Sequence, residues 1–299
     1  MPIAMIIVFI FGTNIAGGIP ADIENAQSLP GYLTMTTTYD PVAGVEQPYP
    51  LISIISMIAW GLGYFGMPHI LLRFMAIEDE NKLTLSRRVA TTWVVISLAV
   101  AVLIGVIGLA MSDTGALAVL SGSDSETIIV RISDLLSTYG IVPAFLAGTI
   151  LAGILASTMS TADSQLLAAS SAVSSDLLGG ILAKTASKKN TMFADRITLI
   201  LISVIAAFLA SDPDSSVFNI VSFAWAGFGA VFGPVVLFAL FWRRSNWQGA
   251  LAGMISGGTM VFIWKYLVRP MGGAWDIYEL LPAFLISSAM IVIVSLVTK

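Results

Sequence analysis

The feature that most constrains this chain is a series of long apolar segments with almost no charged side chains inside them. We identify eight such segments, at residues 2–18, 50–77, 89–111, 141–175, 193–210, 216–241, 247–268 and 277–298. Most of them approach the ~20 residues that an α-helix needs to cross ~30 Å of hydrocarbon, and the fourth is longer. Helices of soluble proteins carry a polar face, which these segments lack. The sequence therefore predicts an all-α polytopic membrane protein with about eight transmembrane helices.

Composition supports the same class of protein. The chain is 57% hydrophobic and 11% charged, whereas soluble domains are about one-quarter charged. It has no cysteine and one histidine, His69, which excludes thiol chemistry and Cys- or His-rich metal sites and favours a structural role for His69. No basic run suggests a nucleic-acid partner. The first segment lacks a charged n-region and a cleavage site, so we interpret it as a membrane helix and predict a single transmembrane domain over residues 1–299.

The charged intervals between the segments alternate in sign and predict the orientation. Lysine and arginine gather in the intervals 73–88, 184–196 and 242–247, and the chain ends at Lys299. The other intervals are acidic, and Arg269 is the strong exception among them. Because an excess of lysine and arginine marks the cytoplasmic side, we expect a multi-pass protein of the inner (plasma) membrane with both ends of this chain in the cytoplasm.

One of the acidic intervals contains a helix signal. Ser123 and Glu126 form a capping-box pattern ahead of apolar residues at helical spacing. The pattern predicts a short amphipathic helix against the outer face. It is compatible with a gating element and with an ordinary packing helix.

The second apolar segment carries a helix-breaking pattern. Its stretch 60–68 reads WGLGYFGMP, with three glycines and a proline. Pro68 lacks an N–H group, and its ring collides with the carbonyl of Tyr64. Broken helices of this kind build the substrate sites of secondary transporters. Trp60 and Tyr64 are four residues apart and flank the break, so they could supply an aromatic wall and a hydroxyl to a small substrate; a proline kink with interfacial aromatic residues is the alternative.

The fourth segment concentrates hydroxyl side chains on one helical face. Ser157, Ser160, Thr161 and Ser164 fall at positions i, i+3, i+4 and i+7. Hard cations prefer oxygen ligands, so this face could hold a monovalent ion. The alternative is that these hydroxyls bond back to helix carbonyls or allow close helix packing.

Asp163 lies within the same stretch. A carboxylate inside a membrane is costly and is therefore a functional candidate. It could balance the charge of an ion, accept a proton or orient its neighbours, or it could sit in water at the cytoplasmic end of a tilted helix. The sixth segment, with AWAGFGAVFGPV at 224–235, is rich in small residues and predicts close helix packing.

These stretches together resemble helices of the sodium:solute symporter family. The similarity runs from about residue 50 to the end and is carried by WGLGYFGMPHILLRF (60–74), ILASTMSTADSQLL (154–167), AWAGFGAVFGPVVL (224–237) and GALAGMI (249–255). The resemblance implies part of a five-plus-five inverted-repeat fold with extra helices. It also implies that the chain matches the C-terminal part of such a protein, without the earlier helices. We therefore expect the chain alone neither to bind sodium tightly nor to transport.

The resemblance also implies roles for particular residues. Ser160 and Thr161 match hydroxyls that hold the coupling sodium ion, and Ser157 matches a position that gives a backbone carbonyl. Trp60, Tyr64 and Pro68 match residues linked to proline binding. The chain departs from that pattern at Met67 (where a glutamine is expected), at Phe223 (a tyrosine) and at Asp163-Ser164 (a serine-cysteine pair). Asp163 and Ser164 are therefore further candidates for the ion site.

The function that the resemblance implies is sodium-coupled uptake of proline or a similar amino acid. The alternatives are a sodium symporter for another small organic solute, such as a carboxylate or a sugar acid, and a membrane sensor module derived from such a transporter. We do not expect an enzyme, because the sequence offers no histidine pair and no convincing nucleophile–base pair. The expected partners are a proline-like substrate, sodium as coupling ion and membrane lipid, with no organic cofactor, no nucleic acid and no obligatory protein partner.

Overall fold

Helices form most of this chain. The structure is a computed structural model that describes residues 2–40, 43–173, 188–211 and 216–298. Its α-helices, in chain order, are α1 (Pro2–Ala16), α2 (Ile19–Ser28), α3 (Leu51–Ala59), α4 (Pro68–Met75), α5 (Leu83–Asp113), α6 (Ile128–Ser137), α7 (Ile141–Ser171), α8 (Lys188–Leu209), α9 (Val217–Phe241), α10 (Trp247–Ile263) and α11 (Leu280–Val297).

Shorter elements join these helices. The 3₁₀ segments are Trp60–Gly66, Glu80–Lys82, Gly122–Thr127, Arg269–Met271 and Gly273–Trp275, and a π-helical segment spans Trp264–Val268. Strands β1 (Thr37–Asp40) and β2 (Val45–Pro48) form an antiparallel hairpin in which Thr37 lies opposite Pro48. The sequence pattern did not predict this hairpin.

The polytopic all-α membrane class is confirmed. Among the described residues, six helices are long and apolar enough to cross a membrane, and two bent helix pairs bring the number to eight if each pair is one span. The bent pairs are α1 with α2, at 76°, and α3 plus its 3₁₀ extension with α4, at 54°. The spans therefore correspond to the eight predicted segments, and this chain is a multi-pass membrane protein.

Some of the predicted features lie outside the described residues. They are the end of the fourth segment at 174–175, Lys184 of a basic interval, Asp212 and Asp214 of an acidic interval, and Lys299.

The first predicted segment is shorter than the pattern indicated. We predicted one helix over 2–18, but α1 ends at Ala16, and a second helix, α2, begins at Ile19. Gly17 and Gly18 have φ values of 105° and 98°, in the region that favours glycine. Two consecutive left-handed residues cannot continue a right-handed helix, so the chain turns there.

The described residues pack as two compact units. The first unit consists of Met1–Ser28 and Glu78–Ser216, and the second unit consists of Leu29–Ile77 and Val217–Lys299. The prediction of a single transmembrane domain over 1–299 stays a prediction.

In the first unit, α1 packs against α5 and α6 around a buried apolar core. Its large buried residues are Val8, Ile104, Ile107, Met111, Ile132, Leu136 and Ile150. Gly12 allows the close contact between α1 and α5, since a Cβ there would lie 2.6 Å from Cγ2 of Ile107.

The capping box in the first unit was predicted wrongly. Ser123 and Glu126 lie in the 3₁₀ segment, and α6 begins only at Ile128. The N–H group of Ile128 already donates to the Ser125 carbonyl, so the start of α6 does not need the Ser123 hydroxyl. The amphipathic character of α6 is confirmed, because Ile132, Ser133 and Leu136 are buried on one face.

In the second unit, α10 and α11 are the most closely packed pair. Gly249, Gly253 and Gly257 recur every fourth residue on α10 and are buried. A Cβ on Gly253 would lie 2.4 Å from Cγ1 of Ile291 in α11. This spacing lets the two backbones approach, as small residues do at helix contacts in membranes.

Candidate functional site

The predicted break in the second span is present. α3 passes into the 3₁₀ segment Trp60–Gly66, Met67 is extended (φ −83°, ψ 112°), and α4 begins at Pro68. Proline disfavours the helical conformation of the residue before it and fits the first position of a helix, which explains both boundaries. The carbonyl of Met67 then accepts the N–H groups of Ile70 and Leu71, each at 3.0 Å.

Glycines at the break allow it to lie directly against α9. A Cβ on Gly63 would lie 1.9 Å from Nε1 of Trp225, and one on Gly66 would lie 2.2 Å from the Phe228 carbonyl oxygen. On α9 the facing residues are small and buried: Ala226, Gly229, Ala230 and Gly233. The prediction of close packing by the sixth segment is therefore confirmed, and its partner is the break.

Trp60 lies inside an aromatic cluster. The rings of Phe218, Trp225 and Tyr278 lie 5.4–5.7 Å from its ring, centroid to centroid, and within 18° of parallel to it. Nε1 of Trp225 also donates to the Trp60 carbonyl at 2.9 Å. Most of the indole is therefore engaged by protein, and its predicted contact with substrate stays a prediction.

Tyr64 is more exposed than Trp60. Its side chain is 52% exposed, and its ring stands edge-to-face against Trp225 at 4.8 Å and 84°. Among the described residues its hydroxyl has no hydrogen-bond partner, and Pro68 one turn later is also exposed. Of the two aromatic residues at the break, Tyr64 is the more exposed, and its hydroxyl can both donate to and accept from a ligand.

Tyr278 anchors the aromatic cluster to the neighbouring helices. Its hydroxyl donates to the Ser222 carbonyl at 2.6 Å, and its backbone N–H donates to Oγ of Ser56 at 3.0 Å. Burial, and secondly the negative charge of Glu279, raise the pKa of Tyr278 above its ordinary value. The hydroxyl is therefore a permanent donor, and the sequence pattern gave no sign of this role.

Next to this aromatic cluster in the sequence lies a network of ion pairs, which includes Arg269, the basic exception among the acidic intervals. Glu279 is only 1% exposed, and its Oε2 lies 3.0 Å from Nη1 of Arg269. Arg269 also pairs with Asp276 at 2.9 Å, and Nζ of Lys265 lies 4.0 Å from Oε1 of Glu279. The positive charge of Arg269 is thus paired locally with acidic residues of its own interval.

Phe223, one of the departures from the family pattern, lies in an apolar and cationic setting. Phe262 lies 5.3 Å and Tyr266 lies 6.1 Å from its ring, and Nζ of Lys265 sits 4.0 Å from its centroid. A phenyl ring attracts this ammonium through its face and needs no hydrogen-bond partner. Met67, another departure, is buried at the break.

The hydroxyl face of the fourth span lies on an unbroken helix, α7. Ser157, Ser160 and Thr161 are exposed and Ser164 is half-buried. The hydroxyl of Thr161 donates to the Ser157 carbonyl at 3.3 Å, and that of Ser164 donates to the Thr161 carbonyl at 2.8 Å. Bonding back to the helix therefore occurs, as one alternative anticipated, but it uses only the hydroxyl hydrogen. The oxygen lone pairs remain available to a cation.

The remaining ion-site candidate, Asp163, is also exposed on α7. It belongs to a candidate span, Ile141–Ser171, rather than to a loop. The structure brings the hydroxyl residues and Asp163 together in the first unit, and Trp60, Tyr64 and Pro68 together in the second unit.

Comparison with known proteins gives consistent matches. The sequence model of the sodium:solute symporter family matches residues 1–257. The chain is 43% identical over 249 residues to the sodium/proline symporter of Salmonella typhimurium. The aligned region covers 83% of this chain and 48% of the relative. It is 41% identical over 249 residues to the sodium/proline symporter of Escherichia coli, and equally to the osmoregulated proline transporter OpuE of Bacillus subtilis. These alignments also cover 83% of this chain, and they cover 48% and 49% of the two relatives. The chain spans about half the length of these relatives.

Proposed function

Because this chain belongs to the sodium:solute symporter family, we propose that the protein containing it couples the inward movement of sodium ions to the uptake of proline. A similar amino acid is the nearest variant of this proposal. The observation that carries it is the identity of 41–43% to relatives whose names specify proline.

The geometry of the break supports a substrate site in the second unit. Tyr64 offers an exposed hydroxyl beside an interrupted helix, and the rings of Trp60 and Trp225 form a rigid support behind it. Unwound backbone beside a cavity is the usual substrate-binding element of secondary transporters. We assign substrate contact to Tyr64 and Pro68, and to Trp60 through the part of its side chain that stays accessible.

The hydroxyl face of α7 supports the ion site. Ser160 and Thr161 offer two neutral oxygens on adjacent positions, and the Ser157 carbonyl is held only by a long bond of 3.3 Å besides its helical one. Replacing that bond by an ion costs little, because hydrogen bonds at this length are weak. Asp163 and Ser164 are the next candidates, and a carboxylate there would allow a second cation or a proton to take part.

We place the protein in the inner (plasma) membrane with both ends of this chain in the cytoplasm. The support is the alternation of basic and acidic intervals, in which Arg269 stays the exception.

The experiment that tests the proposed function is uptake of labelled proline by cells that make the protein containing this chain. We expect uptake with external sodium and none when choline replaces sodium. Excess unlabelled proline should compete, whereas excess acetate or a sugar acid should not. Sodium-dependent uptake of a carboxylate or a sugar acid instead of proline would favour the other-solute alternative, and sodium-independent uptake would reject the proposal.

A further inference from the structure

The first unit contains a second helix break, away from the hydroxyl face of α7 in sequence. α1 ends at Ala16, and α2 leaves it at 76° after Gly17 and Gly18. The turn is held by backbone bonds: the N–H of Gly18 donates to the Thr13 carbonyl at 2.7 Å, and the N–H of Asp22 donates to the Gly18 carbonyl at 3.1 Å. These bonds fix Thr13 and Asp22 beside each other.

Both of these side chains are buried. Thr13 is 7% and Asp22 is 6% exposed. The Thr13 hydroxyl is close enough to the Asp22 carboxyl to favour its charged form. In the described part of the chain, however, neither Oγ1 of Thr13 nor Oδ1 of Asp22 has a partner with the distance and angles of a hydrogen bond, so both oxygens keep lone pairs for a ligand. Burying such oxygens without a partner is costly, and far more so for a carboxylate.

A third unsatisfied oxygen lies one helical turn along α2. Asn25 is three residues after Asp22, so the two side chains share a face. Its Nδ2 donates to Oδ2 of Asp113 at the end of α5, and this bond turns Oδ1 away from Asp113. Oδ1 of Asn25 is buried and has no partner within the described part of the chain.

Within residues 2–40, 43–173, 188–211 and 216–298, no ion pair joins a cationic side chain to Asp22. The ion pairs in the described residues use the cations Lys82, Lys265 and Arg269, and none of these pairs with Asp22. Its position in the first turn of α2 supplies part of the missing positive charge, but a helix N-terminus amounts to only about half an elementary charge. A buried carboxylate in this setting needs a cation or a proton.

We propose that Thr13, Asp22 and Asn25 bind a sodium ion at the break between α1 and α2. The three free oxygens are a hydroxyl, a carboxylate and an amide carbonyl, which is a donor set for a hard cation. One buried carboxylate balances one positive charge, and Asp113 is exposed and already held by Asn25, so a monovalent ion fits better than a divalent one. This site is separate from the one assigned to Ser160 and Thr161 and does not depend on it.

The test is sodium-dependent thermal stability of the purified protein that contains this chain, in lipid nanodiscs. A ligand that binds the folded state raises the melting temperature by mass action. The measurement is made with Ser160→Ala and Thr161→Ala present, so that the α7 site cannot contribute, and with choline or potassium at equal ionic strength. We expect stabilisation by sodium that is lost in Asp22→Asn and kept in the control Asp134→Asn, which neutralises an exposed carboxylate of the same unit.

A second pair of variants guards against a folding defect in Asp22→Asn. Thr13→Val keeps the shape of the side chain and removes the oxygen, whereas Thr13→Ser keeps the oxygen. We expect the sodium concentration for half-maximal stabilisation to rise about tenfold in Thr13→Val and to stay near that of the parent in Thr13→Ser. Equal stabilisation by sodium, potassium and choline would overturn the proposal, as would a sodium response unchanged by Asp22→Asn and Thr13→Val. No sodium response, with Asp22→Asn raising the melting temperature in every salt, would assign a proton to Asp22 in place of sodium.

Discussion

At the scale of the residue, the structure separates two side chains that the sequence presented as a pair. Trp60 and Tyr64 are four residues apart, which puts two side chains on one face of an α-helix. They lie instead in a 3₁₀ segment with about three residues per turn, so positions i and i+4 diverge. Trp60 turns into the aromatic cluster and Tyr64 turns outward. Periodicity could not predict this difference, because it assumes the helix type that the break abolishes.

Tyr64 gives the most specific prediction at this scale. Tyr64→Phe should keep the edge-to-face contact with Trp225 but remove the exposed hydroxyl. Leaving a polar group of the substrate unpaired costs roughly 1–3 kcal/mol. The apparent affinity for proline should therefore fall about tenfold or more.

The control for Tyr64→Phe is Tyr139→Phe. Tyr139 is also an exposed tyrosine with an edge-to-face aromatic partner, Phe11, but it lies in the first unit. Binding of labelled proline measures both variants. Equal affinities in the two variants and the parent would remove Tyr64 from the substrate site.

At the scale of the element, the sequence predicted the break in the second span because proline and glycine act through local chemistry. It did not predict α2 or the β-hairpin. Glycines are common where a helix ends, so Gly17-Gly18 indicated the end of the first span and not a turn into a second helix. The hairpin strands are only four residues each, too short for alternation to identify. The ion network around Glu279 was also missed, since nothing in a sequence shows which charges become buried together.

The close contact between the break and α9 predicts that adding a side chain at the break lowers the free energy of unfolding. Gly63→Ala should be strongly destabilising, because its Cβ would overlap the Trp225 indole and the contact has little room to relax. We expect a loss of about 1–3 kcal/mol, as for overpacked cores. Gly61→Ala is the matched control, since a Cβ at Gly61 meets nothing within 4 Å. Thermal unfolding of both variants checks this, and a Gly63→Ala protein as stable as Gly61→Ala would mean that the break and α9 do not touch.

The proposed ion site on the hydroxyl face of α7 predicts how uptake depends on the sodium concentration. Thr161→Ala removes an oxygen from the proposed ion site, whereas Ser171→Ala removes one at the end of the same helix. We expect the sodium concentration for half-maximal proline uptake to rise about tenfold in Thr161→Ala. It should not change in Ser171→Ala. If the sodium dependence is unchanged in Thr161→Ala and in Ser160→Ala, this face of α7 does not bind the ion and serves helix packing instead.

At the scale of the whole molecule, the length of the apolar segments predicted the membrane spans, and the described residues contain six candidate spans, or eight if each bent pair is one span. The alternation of charge predicted their orientation. The orientation is tested by labelling single cysteines, which is clean because the chain has none. We expect Ser187→Cys, in a basic interval, to resist a membrane-impermeant reagent in intact cells, and Ser121→Cys, in an acidic one, to react. The reverse pattern would invert the topology.

We propose that sodium bound on the α7 face drives uptake of a substrate held at the break beside Tyr64. The most direct measurement is proline accumulation in proteoliposomes containing the protein, with an imposed inward sodium gradient and the membrane potential clamped at zero. We expect uphill accumulation that decays when the gradient is collapsed. We also expect Thr161→Ala to shift the sodium dependence and Tyr64→Phe to shift the proline dependence. Proline that only equilibrates across the membrane, or accumulates equally with choline in place of sodium, would contradict it.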